Sequence, residues 1–146
     1  MQKNGLDNCS EKLDEMIILD FIIGNTDRHK RNFGIIRDAN SLEWLHTAPL
    51  FNNGNSLFFD STLRGSIKDN IDSYCKWFRE SNYKKLEYIQ YPQWYDPSKG
   101  KEVVDIIHTG LRNNKYISEE KVSKITKITE NRVMELDKVI RNIRNK

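Results

Sequence analysis

Apolar side chains recur every three or four positions over residues 11 to 24, after a polar lead-in. This spacing places them on one face of a helix and predicts a helix that delivers the chain to the segment after it. Gly24 predicts the end of the helix, because glycine readily adopts the left-handed conformation that follows helix C-termini. The positions that define the pattern are Leu13, Met16, Ile17 and Asp20–Phe21.

The period then shortens to that of β-strands. "NFGII" and "LEWLH" are short β-type runs, and the turn residues of "RDANS" separate them. We therefore predict a β-hairpin from Phe33 to His46, which Pro49 follows.

From Ser66 to the last residue the pattern is helical again. The final segment has Ser118 as its predicted N-cap and two glutamates in the first turn, where the helix dipole favours anions. Between helices, the aromatic stretch "YIQYPQWYDPSKG" contains two prolines and predicts a structured loop. One predicted helical face carries Ile67, Ile71, Tyr74, Cys75 and Phe78, and a second carries Val103, Val104, Ile107 and Leu111.

These patterns predict one mainly α domain with a small β-hairpin. Its 146 residues divide into a polar lead-in over 1–10 and a folded part over 11–146, with loops of chemical interest in 20–60 and a helical remainder in 66–146. The longest apolar run, Met16 to Leu19, is far too short to span a membrane, and no signal peptide is visible. We therefore expect a cytoplasmic protein without membrane contact.

Charge and cysteine content narrow the functional classes. The net charge is +3, and acidic and basic residues alternate near the C-terminus, so we expect solvated helix faces there and no direct nucleic-acid binding. A small helical DNA-binding regulator stays a minor alternative that depends on this mild positive charge. Cys9 and Cys75 are isolated, which predicts reduced thiols and no zinc site.

The stretch "IIGNTDRHKRNFGII" carries the candidate chemistry. Asp27 and Asn32 are five residues apart in a predicted loop between a helix and a hairpin. A carboxylate at this place can accept a hydrogen bond from an attacking hydroxyl, and an asparagine oxygen can bind Mg²⁺, as phosphoryl transfer requires. The spacing Asp-x-x-x-x-Asn is that of the catalytic loop of protein kinases. The alternative is a polar turn in which Asn25, Thr26 and Asp27 only cap their neighbours.

The longer string "GNTDRHKRNFG", followed about twenty residues later by "APLFNNGNSL", resembles the HipA-like serine/threonine kinase family. The "DRHxxN" core is also similar to the corresponding loop of the phosphatidylinositol 3- and 4-kinases. The resemblance is close from Asp20 to about Leu57 and loose over the helical remainder.

The resemblance implies a protein-kinase-like C-terminal lobe and a dependence on ATP and Mg²⁺. Asp27 would be the catalytic base and Asn32 a metal ligand, while Arg28 and His29 would shape the loop or contact phosphate or substrate. Lys30 is a further candidate phosphate contact, with solvated charge as the alternative for it. Some members of the family are toxins that pair with a DNA-binding antitoxin.

The chain departs from the family at the second metal ligand. The family has Asp in a segment of the type "APxFDxGxSL", and this chain has Asn52 there. Asn52 still offers an oxygen ligand but lacks the negative charge that favours a divalent ion. The alternative is that Asn52, Asn53 and Gly54 only make a tight turn, but the flanking Ala48–Pro49 and Ser56–Leu57 favour the family assignment. The asparagine is either a natural divergence from the family or an introduced change.

A kinase also needs a smaller, β-rich N-terminal lobe. The 146 residues contain no glycine-rich phosphate loop, since Gly24, Gly34 and Gly54 are too widely spaced to surround a triphosphate. We therefore expect a C-terminal lobe that lacks its N-terminal lobe and is inactive as an isolated chain. The alternative is a degenerate, non-catalytic lobe that binds a protein partner, either an antitoxin or a separate N-terminal lobe. In both cases we expect an apolar surface near the hairpin and the first helix, with self-association or a protein partner.

Overall fold

The computed structural model of the protein describes residues 8–59 and 70–145. The elements in chain order are helix α1 (Cys9–Ile23), strands β1 (Ile35–Arg37), β2 (Trp44–Thr47), β3 (Tyr74–Cys75) and β4 (Glu80–Ser81), and helices α2 (Asn82–Lys85), α3 (Gly100–Arg112) and α4 (Glu119–Arg144). The prediction of a mainly α domain with a small β-hairpin is confirmed. No helix in this described part of the chain is both long and apolar enough to cross a membrane.

Helix α1 ends where the sequence predicts. Gly24 has a φ of 64°, and its backbone N–H donates to the carbonyls of Asp20 and Phe21. A side chain at this position would collide with Arg132 of α4, whose guanidinium nitrogen Nη1 lies 2.5 Å from the place a Cβ would take. Gly24 thus ends α1 and also lets α4 approach it closely.

Strands β1 and β2 form the predicted antiparallel hairpin. Ile35 pairs with Thr47 and Ile36 with His46, and the register shifts before Arg37 pairs with Trp44. Both strands are exposed on nearly their whole length. This hairpin therefore contributes little to the core of the described structure.

The helix predicted from Ser66 is wrong over residues 74–81, where β3 and β4 form a second antiparallel pair. Ile67, which was assigned to the same helical face, lies outside the described residues. The Asp72 carboxylate accepts hydrogen bonds from the backbone N–H groups of Ser73 and Tyr83, which competes with helical hydrogen bonding. Arg79, at the turn, has a φ of 54°, which a continuous helix excludes.

The aromatic stretch is the predicted structured loop, and three 3₁₀ turns organise it, at Leu86–Tyr88, Pro92–Trp94 and Pro97–Lys99. The buried carboxylate of Asp14 in α1 accepts hydrogen bonds from the backbone N–H groups of Gln90 (3.0 Å) and Tyr91 (2.6 Å). From the other side, Arg144 donates to the Pro92 carbonyl at 2.6 Å. The first helix and the end of the last helix thus fix this loop.

Helices α3 and α4 form the helical end of the domain. Ser118 caps α4 as predicted, with its hydroxyl accepting from the Lys121 backbone N–H at 3.4 Å. At Gly100 a Cβ would lie 2.5 Å from Val133 Cγ1, so only glycine permits this approach of α3 to α4. The main core cluster joins α1, the loop and these two helices through Ile18, Phe21, Ile22, Leu86, Ile89, Tyr95, Val104, Val133, Leu136 and Ile140.

Candidate active site

The loop after α1 is fixed by hydrogen bonds to the last turn of that helix. The Asn25 side chain donates to Asp20 Oδ1 at 3.0 Å, and its own Oδ1 accepts from the backbone N–H of Asp27 at 3.0 Å. Asn25 is fully buried, so both bonds are shielded from water. The backbone at Asp27 is therefore held at a set distance from α1.

Arg28 connects this loop to the loop that carries Asn52. Its guanidinium is fully buried and donates to Asp20 through Nε (3.0 Å to Oδ2) and Nη2 (2.8 Å to Oδ1). Nη1 donates to the carbonyl oxygens of Asn32 (3.0 Å) and Phe51 (2.8 Å), and Nη2 also donates to Asn53 Oδ1 at 2.6 Å. We call Asp20, Asn25, Arg28 and Asn53 the Arg28 cluster. Of the two roles predicted for Arg28, shaping the loop matches this placement.

Asp27 and Asn32 lie at the two ends of one closed loop. The Asn32 Nδ2 donates to the Asp27 carbonyl at 2.8 Å, and its backbone N–H donates to the His29 carbonyl at 2.9 Å. Asn32 is only 2% exposed, whereas Asp27 is half-buried. The Asp27 carboxylate accepts a hydrogen bond from the indole Nε1–H of Trp77 at 2.6 Å.

Asn52 is exposed and has a φ of 56°. Asparagine tolerates this left-handed conformation better than most residues other than glycine, which accounts for an amide or a carboxylate side chain there. Its neighbours Phe51 and Asn53 both bind Arg28, so the Arg28 cluster links the two loops on which Asn32 and Asn52 lie. The hydrogen bonds from Arg28 to this loop therefore go to the residues on either side of Asn52, the Phe51 carbonyl and the Asn53 side chain.

The donor chemistry of this site suits Mg²⁺ in kind but not in charge. Asn32 and Asn52 offer neutral oxygens, and Asp27 is the carboxylate of the loop. No group of three or more His, Cys, Asp or Glu side chains that could hold a metal occurs within residues 8–59 and 70–145. Two asparagine oxygens and the single Asp27 carboxylate would hold a divalent ion weakly, because a strongly hydrated ion favours charged ligands.

The basic residues of the loop differ in their placement. The His29 ring lies against the Trp77 ring, with centroids 5.5 Å apart and planes at 80°, and its Nδ1 accepts from the Arg31 backbone N–H. Lys30 is exposed, as is Arg31. Lys30 is thus accessible to a phosphate or to solvent, the two alternatives that the sequence leaves open.

Three residues of the site had no recognised signal in the sequence. Asn82 is fully buried and donates to the Asn25 carbonyl at 2.7 Å, and the thiol of buried Cys75 donates to the Arg28 carbonyl at 3.1 Å. Trp77 contacts Asp27 from 50 positions along the chain. The sequence signal that points to this network is Asp20, a charged residue at the end of the apolar face of α1. A carboxylate that is buried on such a face needs a charged or hydrogen-bonding partner, such as an arginine.

A second buried arginine contacts the last turn of α1, just before the loop that carries Asp27. Arg132 of α4 donates to the carbonyl oxygens of Ile71 (2.6 Å) and Ile22 (3.3 Å), and its guanidinium lies 5.2 Å from the centre of the Phe58 ring. Burial lowers the pKa of Arg132 to about 10, and the nearby Asp72 carboxylate opposes this shift. The side chain therefore stays cationic at neutral pH.

An apolar cavity of about 570 Å³ lies between α1 and α3. It extends to Leu50, just before the loop of Asn52. Its α1 wall is formed by Ile18, Leu19, Ile22 and Ile23, and its α3 wall includes Val103, Ile106 and Ile107.

Comparison with known proteins gives a kinase relative. The chain is similar to the serine/threonine-protein kinase CtkA of Helicobacter pylori (strain J99), with 26% identity over an alignment 155 positions long. The alignment covers 84% of this chain and 46% of the kinase. No protein-family profile matches the chain, and no solved structure matches it significantly. The chain thus spans about half the length of the curated relative it matches, and the similarity supports a kinase-like relationship.

Proposed function

We propose that this chain is the C-terminal lobe of a HipA-like, ATP-dependent serine/threonine kinase and has no turnover by itself. The observation that carries the proposal is the Arg28 cluster, which joins the loop of Asp27 and Asn32 to the loop of Asn52 through one buried guanidinium. The similarity to a serine/threonine kinase supports the reaction class. The motif strings "GNTDRHKRNFG" and "APLFNNGNSL" support the assignment to the HipA-like family.

In the proposed reaction Asp27 orients the hydroxyl of a serine or threonine acceptor. The hydroxyl oxygen bonds to the γ-phosphorus of ATP while the bond from that phosphorus to the β–γ bridging oxygen breaks. The hydroxyl proton passes to Asp27, and ADP leaves with the electron pair. Asp27 is suited to this role because it is partly accessible while its backbone is held by Asn25.

Mg²⁺ would bind through the side-chain oxygens of Asn32 and Asn52, and it would neutralise charge on the phosphates. The amide group of Asn32 donates to the Asp27 carbonyl through its nitrogen, which leaves its oxygen for a metal. A lobe that covers the triphosphate would have to come from outside these 146 residues. Because Asn52 supplies no charge, we propose that ATP and Mg²⁺ bind the isolated chain weakly.

The test is a Mn²⁺ titration followed by proton relaxation enhancement on the wild type and on Asn52→Asp. An added carboxylate should tighten Mn²⁺ binding about tenfold or more, which corresponds to about 1.4 kcal/mol. Asn32→Ala in the Asn52→Asp background should reverse the gain, whereas Asp27→Ala should leave it, since Asp27 is assigned to the hydroxyl.

Asn131→Asp is the matched control, because it adds the same charge on the exposed face of α4. It should leave Mn²⁺ affinity at the wild-type value. An unchanged affinity in Asn52→Asp, or a gain that survives Asn32→Ala, would mean that the two asparagines do not share a metal site, and the kinase assignment of the loop would fail.

A second candidate function is a non-catalytic lobe that binds a protein partner, such as an antitoxin or a separate N-terminal lobe. The observation that favours it is the apolar surface of the first hairpin, on which several large side chains are exposed. Exposed apolar clusters mark interaction sites when they are large. The side chains on the hairpin are Ile35, Ile36, Leu42, Trp44 and Leu45, and Phe51 is exposed on the loop that follows it.

Light scattering over a concentration series tests this second function through self-association. If the apolar hairpin surface mediates self-association, the mean molecular mass should rise with protein concentration. Leu45→Lys should lower the mean mass measured at high concentration. Met134→Lys on α4 is a matched control, because Met134 is an apolar residue of similar exposure (59% against 53% for Leu45) and does not line the apolar cavity. A strict monomer at high concentration would count against an apolar docking surface on the hairpin.

A further inference from the structure

We infer that Trp77 is a positioning residue for Asp27, and that the turn between β3 and β4 forms one side of the site for the acceptor hydroxyl. The inference deepens the proposed function and rests on it. Its basis is the 2.6 Å hydrogen bond from the indole Nε1–H to Asp27 Oδ1. A hydrogen bond from an indole to one carboxylate oxygen leaves the other oxygen to accept the hydroxyl.

Buried contacts hold both strands that flank this turn. Cys75 in β3 is fully buried, and its thiol donates to the Arg28 carbonyl at 3.1 Å. Asn82, directly after β4, is fully buried and donates to the carbonyl oxygens of Asn25 (2.7 Å) and Asp20 (3.3 Å). The strands are therefore attached to the same loop that carries Asp27, so the position of Trp77 relative to Asp27 is set by buried groups.

The indole is also supported from the side. The His29 ring packs edge-on against it at 5.5 Å, and His29 is fixed in turn by the Arg31 backbone N–H, which donates to Nδ1. Trp77 itself is 58% exposed. A side chain that is more than half exposed, yet hydrogen-bonded to a carboxylate and in edge-on contact with a histidine, is placed to meet an incoming substrate.

The surroundings indicate which acceptor would fit. Lys76 and Arg79 lie in the turn, and Lys30 and Arg31 follow Asp27 on its own loop; all four are exposed. None of these four forms an ion pair with a carboxylate of the described residues. A serine or threonine next to acidic residues would complement this charge, while the aromatic face of Trp77 would contact its apolar neighbours.

Nuclear magnetic resonance tests the contact directly, because the chain has three tryptophans and gives one indole N–H signal for each. Trp77→Phe identifies the Trp77 signal by its loss. We expect Asp27→Ala to shift that signal and to speed its exchange with water roughly two- to tenfold, as the loss of one hydrogen bond implies. The signals of Trp44 and Trp94 should stay in place.

The reciprocal measurement follows the carboxyl ¹³C signal of Asp27. Trp77→Phe keeps the ring against His29 but removes the N–H, so this signal should shift, whereas Trp94→Phe should leave it unchanged. Asp105→Ala, an exposed aspartate of α3, is the matched control for Asp27→Ala. Trp77→Phe should also keep the wild-type melting curve, which separates positioning from a role in folding.

The outcomes distinguish this inference from the proposed function. Absence of the reciprocal shifts overturns the role of Trp77 whatever the Mn²⁺ titration shows. Reciprocal shifts together with a Mn²⁺ gain in Asn52→Asp, unaffected by Trp77→Phe, support it. Reciprocal shifts without any Mn²⁺ gain leave a structural contact and overturn its assignment to a kinase base.

Discussion

Replacing Arg28 by methionine should destabilise the protein more than any substitution on its surface. Arg28 is fully buried, and its guanidinium makes charge-assisted hydrogen bonds to Asp20, which is itself only 1% exposed. Methionine fills much of the same volume but leaves the Asp20 carboxylate with the Asn25 side chain as its remaining side-chain donor, at 3.0 Å. The carbonyl oxygens of Asn32 and Phe51 lose their bonds to Arg28 as well.

The magnitude follows from this loss of partners. Removing one member of a buried ion pair costs about 3–5 kcal/mol, because an uncompensated charge stays behind. The total free energy of unfolding of such a domain is about 5–15 kcal/mol, so the change removes a large share of it. For a chain of this length we expect the melting temperature to fall by roughly 10–15 °C.

Thermal and urea unfolding followed by circular dichroism measure the effect. The double variant Arg28→Met with Asp20→Leu removes both charges, and it should be clearly more stable than Arg28→Met alone. Lys127→Met is the surface control, since Lys127 pairs with Glu130 at 3.1 Å while 69% exposed, and it should cost less than about 1 kcal/mol. A loss below about 1 kcal/mol in Arg28→Met would refute the claim that this guanidinium holds the two loops together.

Three further predictions follow from the same structure. Gly24→Ala should destabilise by about 1–3 kcal/mol, because of its φ of 64° and the collision with Arg132, whereas Gly110→Ala, in open space on α3, should stabilise by about 0.5–1 kcal/mol; urea unfolding of both variants checks the opposite signs. Burial and the hydrogen bond to Asp137 raise the pKa of Tyr95, so the stability that Tyr95 contributes is complete below about pH 10, the ordinary tyrosine pKa, and is lost as the pH rises above it. Tyr95→Phe should lower the free energy of unfolding by about 1 kcal/mol at pH 7 and make the loss of stability at alkaline pH shallower. An unchanged dependence of stability on pH above about 10 would contradict this. Calorimetric titration of the wild type with ATP and Mg²⁺ should show weak binding or none, and a dissociation constant in the low micromolar range would contradict the proposed lack of a phosphate-binding lobe.

Local patterns predicted most of the fold because the elements concerned depend on neighbours in sequence. Gly24 ends α1 by its own conformational freedom, and Ser118 caps α4 through a residue three positions away. The β3–β4 pair could not be predicted in this way. Its strands are two residues each, and the contacts that hold them are made by Cys75 and Asn82 to a loop about fifty residues earlier.

The site shows the same division between local and distant causes. The sequence predicted that Asp27 and Asn32 share a loop between a helix and a hairpin, and the structure has this loop. The hydrogen bond from the Asn32 side chain to the Asp27 carbonyl, which closes the loop, is seen only in the structure. The burial of Arg28 could not be predicted, because an arginine between Asp27 and His29 has the appearance of a surface cation. Only its partners Asp20 and Asn53, eight residues before and twenty-five after, make it a buried group.

The geometry around Asn52 makes charge, rather than backbone shape, the variable that the metal experiment probes. The bonds that hold this loop to Arg28 come from the Phe51 carbonyl and the Asn53 side chain. Aspartate tolerates a φ of 56° about as well as asparagine does, so Asn52→Asp changes neither those bonds nor the backbone preference. A change in Mn²⁺ affinity in that variant would therefore report the added carboxylate itself, and a loop that binds no better with it was never placed to hold a metal.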